Sequence, residues 1–168
     1  FTEIDLADVD KQTGEVASAR ARRGRDFNGT KTPFAEGELL FARIRPSLNN
    51  VVIAQRPHPD LPTAMAGSSE WIRLQPEHDS HFALVAARSS FVRDQLQGTG
   101  GQTRPRIKTS DLPDLFVPDP GSANRAKIHA IVKRAMAQRL RARRELDAVA
   151  AMYESFGRGE LSEVELEV

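Results

Sequence analysis

The sequence predicts an α+β fold: a twisted, mostly antiparallel sheet with a packed helix, followed by one long C-terminal helix. Three observations predict it. Residues 122–156 contain neither Gly nor Pro and are rich in Ala, Arg, Leu and Glu, which lose little rotamer freedom in a helix. Several earlier runs alternate, or are apolar throughout, and stop at Pro or Asn, as strands do. Residues 81–96 repeat apolar side chains at helical spacing. The 168 residues suffice for one domain with a real core. The expected division is a globular domain over 1–120, the long helix over 121–157 and an acidic tail over 158–168.

Phe1 to Val9 alternates through Ile4, Leu6 and Val9 and reads as a short strand or extended arm. Residues 10–16 read as a turn and the start of a second extended piece. Arg20, Arg22, Arg23 and Arg25 form a basic run without apolar pattern. That is a loop, either solvated or in contact with phosphate. Leu39 to Ile44 is the strongest strand. Leu39, Phe41 and Arg43 share one face and Leu40, Ala42 and Ile44 the other, so the strand is central; Pro46 closes it. Asn49 and Asn50 turn the chain, and Val51 to Ala54 returns as the second arm of a hairpin.

Pro57, Pro59 and Pro62 forbid regular structure, and Ala64 to Ser69 reads as small and flexible. Glu70 to Gln75 alternates and ends at Pro76, a half-buried strand. His81 to Leu96 reads as one helix capped by Asp79 or Ser80. Gly98 to Ile107 is Gly-rich and then basic. It is no Walker A loop, because no Lys-Ser or Lys-Thr follows. Its glycines let the backbone approach a partner closely while Gln102, Arg104 and Arg106 reach out. Residues 110–113 turn, and Leu115 to Val117 reads as a short final strand. Pro118, Pro120 and Gly121 then block helix, Ser122 or Asn124 caps the next one, and Gly157 and Gly159 end it.

At heptad spacing the long helix carries Ile128, Val132, Ala135, Arg139, Ala142, Leu146, Val149, Tyr153 and Phe156, a seam broken only by Arg139. Such a seam suggests a helical partner. At ~1.5 Å per residue the rod is roughly 50 Å long, more than a domain of this size needs for its own core. Part of it is therefore expected to pair with something else.

Charge is nearly balanced, 24 Lys and Arg against 23 Asp and Glu, so nucleic-acid binding would have to use local patches. The absence of Cys excludes disulfides and thiolate metal sites. His58, His78, His81 and His129 lack ligand spacing, so no metal is expected. No run is long and apolar enough to span a membrane and no signal peptide is visible, which points to the cytoplasm. The first residue is Phe, so the chain reads as a processed or trimmed piece, or as one whose beginning lies upstream. No nucleophile motif surrounds any Ser, and Glu36 and Glu38 read as exposed turn carboxylates. Neither an enzyme nor a cofactor is expected. Binding has more support. Arg and Lys cluster at 20–25, 43–45 and 104–108, with Asn49, Asn50 and Gln102 alongside. Arg forks match guanine edges or phosphates, and Asn or Gln can pair bidentately with adenine. The expected DNA-binding residues are Arg43, Arg45, Asn49, Gln102, Arg104, Arg106 and Lys108, with Arg20, Arg22, Arg23 and Arg25 on phosphates. Sparse aromatics argue against single-strand stacking.

The order of these pieces resembles a known family. Leu39 to Pro46 precedes the Glu70 to Pro76 strand; a helix ending at Phe91 to Leu96 comes next. Gly100 to Ile107, Leu112 to Pro118 and the long helix complete the order. This resembles the target recognition domain and spacer helix of the DNA-specificity subunit of type I restriction-modification systems. The resemblance implies double-stranded DNA as ligand, half of a split sequence being read in the major groove. It implies that the helix packs on a second such helix, sets the half-site distance and docks the methyltransferase subunit, which the restriction subunit then joins. It also implies no catalytic residues. A full subunit has two recognition domains and two helices. This chain has one of each, so it is expected to be a half-subunit that forms a homodimer, or a fragment. It departs from the family at Val117 to Ser122, where relatives carry a Pro-Leu-Pro-Pro-like run followed by Glu-Gln. Two rivals remain: the recognition domain of a fused restriction-methylation enzyme, and a protein-interaction module using the long helix.

Overall fold

The computed structural model describes residues 1–76, 79–97 and 105–160. They form two compact units, Phe1–Lys133 and Arg134–Val168. The first unit is built on β6 (Leu39–Ala42), buried at all four positions. β7 (Val51–Ile53) and β9 (Trp71–Leu74) pair antiparallel with its two edges, in the order β7-β6-β9. A second sheet has the order β4-β1-β8-β5, from Arg20–Ala21, Thr2–Ile4, Met65–Ser68 and Lys31–Phe34. Its β1–β8 pair is parallel; the other pairs are antiparallel. β2 (Val9–Asp10) and β3 (Glu15–Val16) form a small hairpin.

One core joins the sheets. Ile4, Phe34 and Met65 from one meet Leu40, Val52 and Trp71 from the other. Each such side chain stabilises by about 1.5–3 kcal/mol relative to exposure. Trp71 Nε1 donates to the Ile4 carbonyl at 3.0 Å, which satisfies the indole N–H and fastens the sheets together. α1 (Ser80–Arg88) packs on β6 and β7 through buried Leu84, and α2 (Ser90–Gln97) packs on the single helical turn Pro46–Leu48. α3 is one unbroken helix, Ser122–Gly157, of 36 residues. Gly159, at φ +71°, donates to Phe156 at 2.9 Å and Glu160 donates to Ser155 at 2.9 Å, so the last carbonyls are satisfied as a C-terminal glycine permits.

The α+β class with its long C-terminal helix is observed, as are the strands at 39–42, 51–53 and 71–74. Several local readings are corrected. The single expected sheet is three separate sheets. Ala64 to Ser69 is not flexible: Met65–Ser68 is the interior strand β8. Its small residues are required, because a Cβ on Gly67 would lie 1.9 Å from the Ile4 carbonyl oxygen. Arg20–Ala21 is an edge strand rather than loop, held by β1. The expected helix over 81–96 is two helices. Ser89 is extended at φ −63°, ψ 152°; its Oγ donates to Ala86 and accepts from Val92 N–H, ending one helix and starting the next. Asp79 precedes α1 without a side-chain cap bond. Leu115 to Val117 forms no strand; its backbone is held instead by Gln95, which accepts from Phe116 N–H and donates to Phe116 O, both at 2.9 Å.

Candidate nucleic-acid interface

The candidate interface begins where β6 leaves the core. Leu39–Ala42 is apolar on both faces, so charged residues first become tolerable at Arg43. The ladder continues past the strand. Arg43 N–H donates to Glu70 O at 2.9 Å, Ile107 N–H to Arg43 O at 2.9 Å and Arg45 N–H to Pro105 O at 2.8 Å. Ile44 and Arg106 form a single antiparallel bridge. Residues 105–107 thus pair with the chain just beyond the end of β6. This register gathers Arg43, Arg45, Arg106 and Lys108 at one end of the sheet. Arg45 is exposed and left-handed at φ 50°. It opens the turn that ends at Asn49, also left-handed at φ 59°. That turn is braced from behind. Arg88 Nη1 donates to the carbonyls of Asn49 and Val51 at 3.0 and 3.1 Å, and Nη2 to those of Lys11 and Gln12 at 2.7 and 3.0 Å. Burial pushes the Arg88 pKa down, and nearby Asp10 pushes it back up in part. Four carbonyl acceptors compensate the desolvation.

Beside this rung lies a cleft of about 570 Å³ lined by Arg43, Ser69, Glu70, Arg106, Lys108 and Thr109. Glu70 Oε1 accepts from Arg106 Nη2. Glu70 Oε2 and Arg43 Nε are buried and have no hydrogen-bond partner among the described residues. Glu70 belongs to the site, and the sequence reading passed it over. The one available signal was its position immediately before β9, opposite Arg43.

The other basic segment lies on the other sheet. Arg22 Nε donates to Glu3 at 3.1 Å; Arg20 stands 3.8 Å from Glu3 and 3.7 Å from Asp8. Both therefore balance acidic groups of their own sheet. Arg23 is exposed, and Arg25 is 3.9 Å from Asp26. Gln102 and Arg104 lie outside the described residues, as does His78. Glu36 and Glu38 are not both exposed turn carboxylates. Glu38 is buried and receives Arg73 through two bonds of 3.0 and 2.9 Å, while Glu36 receives Arg56 at 3.2 Å. The helix-seam residues divide. Ile128, Val132 and Phe156 are half-buried; Ala135, Ala142, Leu146, Val149 and Tyr153 are exposed, the last three at 71%, 62% and 73%.

Among the described residues no three or more His, Asp or Glu are grouped to hold a metal ion, and no helix is long and apolar enough to cross a membrane. No family model and no curated protein matches the sequence. Solved structures do. The HsdS subunit from Thermoanaerobacter tengcongensis aligns at TM-score 0.66 with 24% identity, over 89% of this chain and 39% of that one. A chain from a structure of the type I R-M system, solved to explain its complex assembly and conformational transition, aligns at 0.64 with 22% identity, over 98% of this chain and 43% of that one. At these identities the likeness is one of fold. The chain spans about two fifths of the length of either neighbour.

Proposed function

We propose that the chain reads double-stranded DNA as a specificity subunit, or half of one, of a type I restriction-modification system, and itself catalyses nothing. Residues 1–120 serve as the recognition domain, and 121–157 as the spacer helix that docks methyltransferase and then restriction subunits. The carrying observation is the set of Arg43, Arg45, Arg106 and Lys108 beside a polar cleft, on a fold shared with an HsdS subunit. Arg supplies a planar fork for guanine edges and phosphates, and a fixed ladder sets its position. Exposed Leu146, Val149 and Tyr153, at i, i+3 and i+7, support a helical partner from a second copy or a second such unit.

Selection from a random-sequence duplex library, with the chain alone and with a methyltransferase subunit, tests the reading. A selected sequence is expected, with affinity falling steeply in salt. No selected sequence in either arm supports the interaction module, which the exposed helix stripe favours. Sedimentation separates the helix role: Leu146→Glu with Tyr153→Glu is expected to abolish self-association or subunit binding while leaving the helix content measured by circular dichroism intact.

A further inference from the structure

Resting on the reading above, we propose that Glu70 is a positioning residue, which holds Arg106 so that its guanidinium reads a guanine edge and not a phosphate. The backbone brings the two together. Arg43 N–H donates to Glu70 O, Ile107 N–H donates to Arg43 O, and Ile44 bridges Arg106, so both residues are tied to the same short stretch beyond β6. Their side chains then meet, Arg106 Nη2 donating to Glu70 Oε1. Both line the cleft. The Arg106 side chain is 59% exposed, whereas that of Glu70 is only 21% exposed. The Arg106 side chain makes no other hydrogen bond among the described residues, so the rest of its fork is open.

Glu70 has reason to keep its partner. Its Oε2 is buried and has no hydrogen-bond partner among the described residues. If Arg106 swung away, neither carboxylate oxygen would be satisfied, and a largely buried charge would lose its counter-ion, a costly arrangement. Arg106 is therefore a fixed fork rather than a freely swinging cation. The same pairing biases what the fork can take. A phosphate would meet a positive charge already balanced by a carboxylate within hydrogen-bond reach. Arg45 and Lys108, with no ion pair among the described residues, are left for phosphates. A base edge is neutral and asks only for N–H donors, which the pairing leaves in place. Two donors side by side need two acceptors side by side. Of the major-groove edges, adenine presents an acceptor next to a donor, thymine one acceptor and a methyl group, and cytosine a donor; guanine presents adjacent O6 and N7 acceptors.

The test uses the full chain, sequence selection from a random duplex library and titrations over a salt series. Arg106→Ala is expected to relax a single position, one that holds guanine in the wild-type selection, with little change of salt slope. Glu70→Ala is expected to relax the same position about tenfold and, by freeing the Arg106 charge for a phosphate, to steepen the slope by about 0.9. In the double variant the slope should return to that of Arg106→Ala, which a merely structural role for Glu70 does not produce. Replacing that guanine by 7-deazaguanine is expected to weaken wild-type binding about tenfold and to leave Arg106→Ala indifferent. The inference is overturned if Arg106→Ala lowers the slope by about 0.9 and weakens all sequences alike, if the position it relaxes holds another base, or if wild type binds the 7-deazaguanine duplex normally. Should Glu70→Ala not fold, Glu70→Gln, which keeps the shape and loses the charge, takes its place with the same rise in slope expected. If wild type selects no sequence at all, the reading beneath falls as well; if it selects one that the Glu70 variant leaves unchanged, only this inference falls.

Discussion

Arg88 shows how much a single side chain organises. It sits on α1, where a sequence reading sees an ordinary charged helix surface, yet its guanidinium reaches four carbonyls in two separate turns. Charge-assisted bonds to buried acceptors are worth more than neutral ones, and an acceptor left bare costs its desolvation. Arg88→Ala is expected to destabilise the first unit by about 2–4 kcal/mol, read as a lower urea midpoint. It should also loosen the Asn49 turn, so that amide exchange around Asn49 and Val51 speeds up. Arg88→Lys should recover little, because an ammonium cannot span both turns. Two titrating groups set the acid response. Glu3 has its carboxyl held below the ordinary 4.5 chiefly by the hydrogen bond from Lys31, with Arg22 adding and desolvation opposing. Stability from Glu3 is complete above its unfolded pKa and is lost as pH falls through the folded one. His81 lies 4.9 Å from His129, ring to ring. Burial first, then the charges of His129 and Lys133, holds its pKa below 6.5. The folded state prefers the neutral ring, so stability falls as pH drops below 6.5 toward the folded value. Denaturant midpoints should therefore decline in two limbs on acidification, one below pH 6.5 and one below pH 4.5. His81→Gln should flatten only the first. On the alkaline side desolvation pulls Lys31 down, but its bonds to Glu3 and Asp5 win and raise it. Stability from Lys31 is full below 10.5 and is lost as pH rises through the higher folded value.

At the scale of elements, β8 carries the sharpest demand. Its Gly67 stands opposite Ile4 in the parallel pair, and any Cβ there would overlap the Ile4 carbonyl oxygen and crowd Trp71 Cδ1 at 3.1 Å. Gly67→Ala is expected to cost about 3 kcal/mol or more, because the opposing atom is backbone and cannot swing away. Thermal unfolding checks this, and Ala66→Gly in the same strand should cost only about 0.5–1 kcal/mol. β8 was illegible for the same reason. Met-Ala-Gly-Ser has no alternation to read, and its strand character comes from what lies beside it. Leu39–Ala42, Val51–Ile53 and the long helix were legible because their patterns are their own, apolar on both faces or free of Gly and Pro over many turns. Arg20–Ala21 is strand only by its backbone bonds to β1. Ser89 gave no warning of the helix break, since Ser in a helix interior and Ser at a cap look alike in sequence. In the candidate site, Arg43 and Arg45 were found from their place after an apolar run and Arg106 and Lys108 from local charge. Their meeting on one ladder, and the place of Glu70 in it, required the register.

For the whole molecule, a formal charge of +1 sets the terms on which DNA can be held. No general field draws the chain to a polyanion, so affinity must come from few and local contacts. The structure sorts the cations available for this. Arg20 and Arg22 neutralise Glu3 and Asp8 and are costly to recruit, whereas Arg45 and Lys108 stand at the end of the sheet with no ion pair to an acidic side chain among the described residues. Each phosphate contact releases condensed counterions and contributes about 0.9 to the slope of log affinity against log salt. Arg45→Ala and Lys108→Ala are therefore expected to lower that slope by about 0.9 each and to weaken all duplex sequences alike. Arg22→Ala should leave the slope unchanged and instead destabilise the sheet that carries Glu3. Arg43→Ala should change sequence choice with little change of slope, because its side chain is half-buried and lines the cleft beside Glu70. Fluorescence titrations of the four variants over a salt series measure both quantities at once. If Arg22→Ala lowers the slope while Arg45→Ala and Lys108→Ala do not, the DNA path crosses the four-stranded sheet, and the rung at the end of β6 is not where the backbone is held.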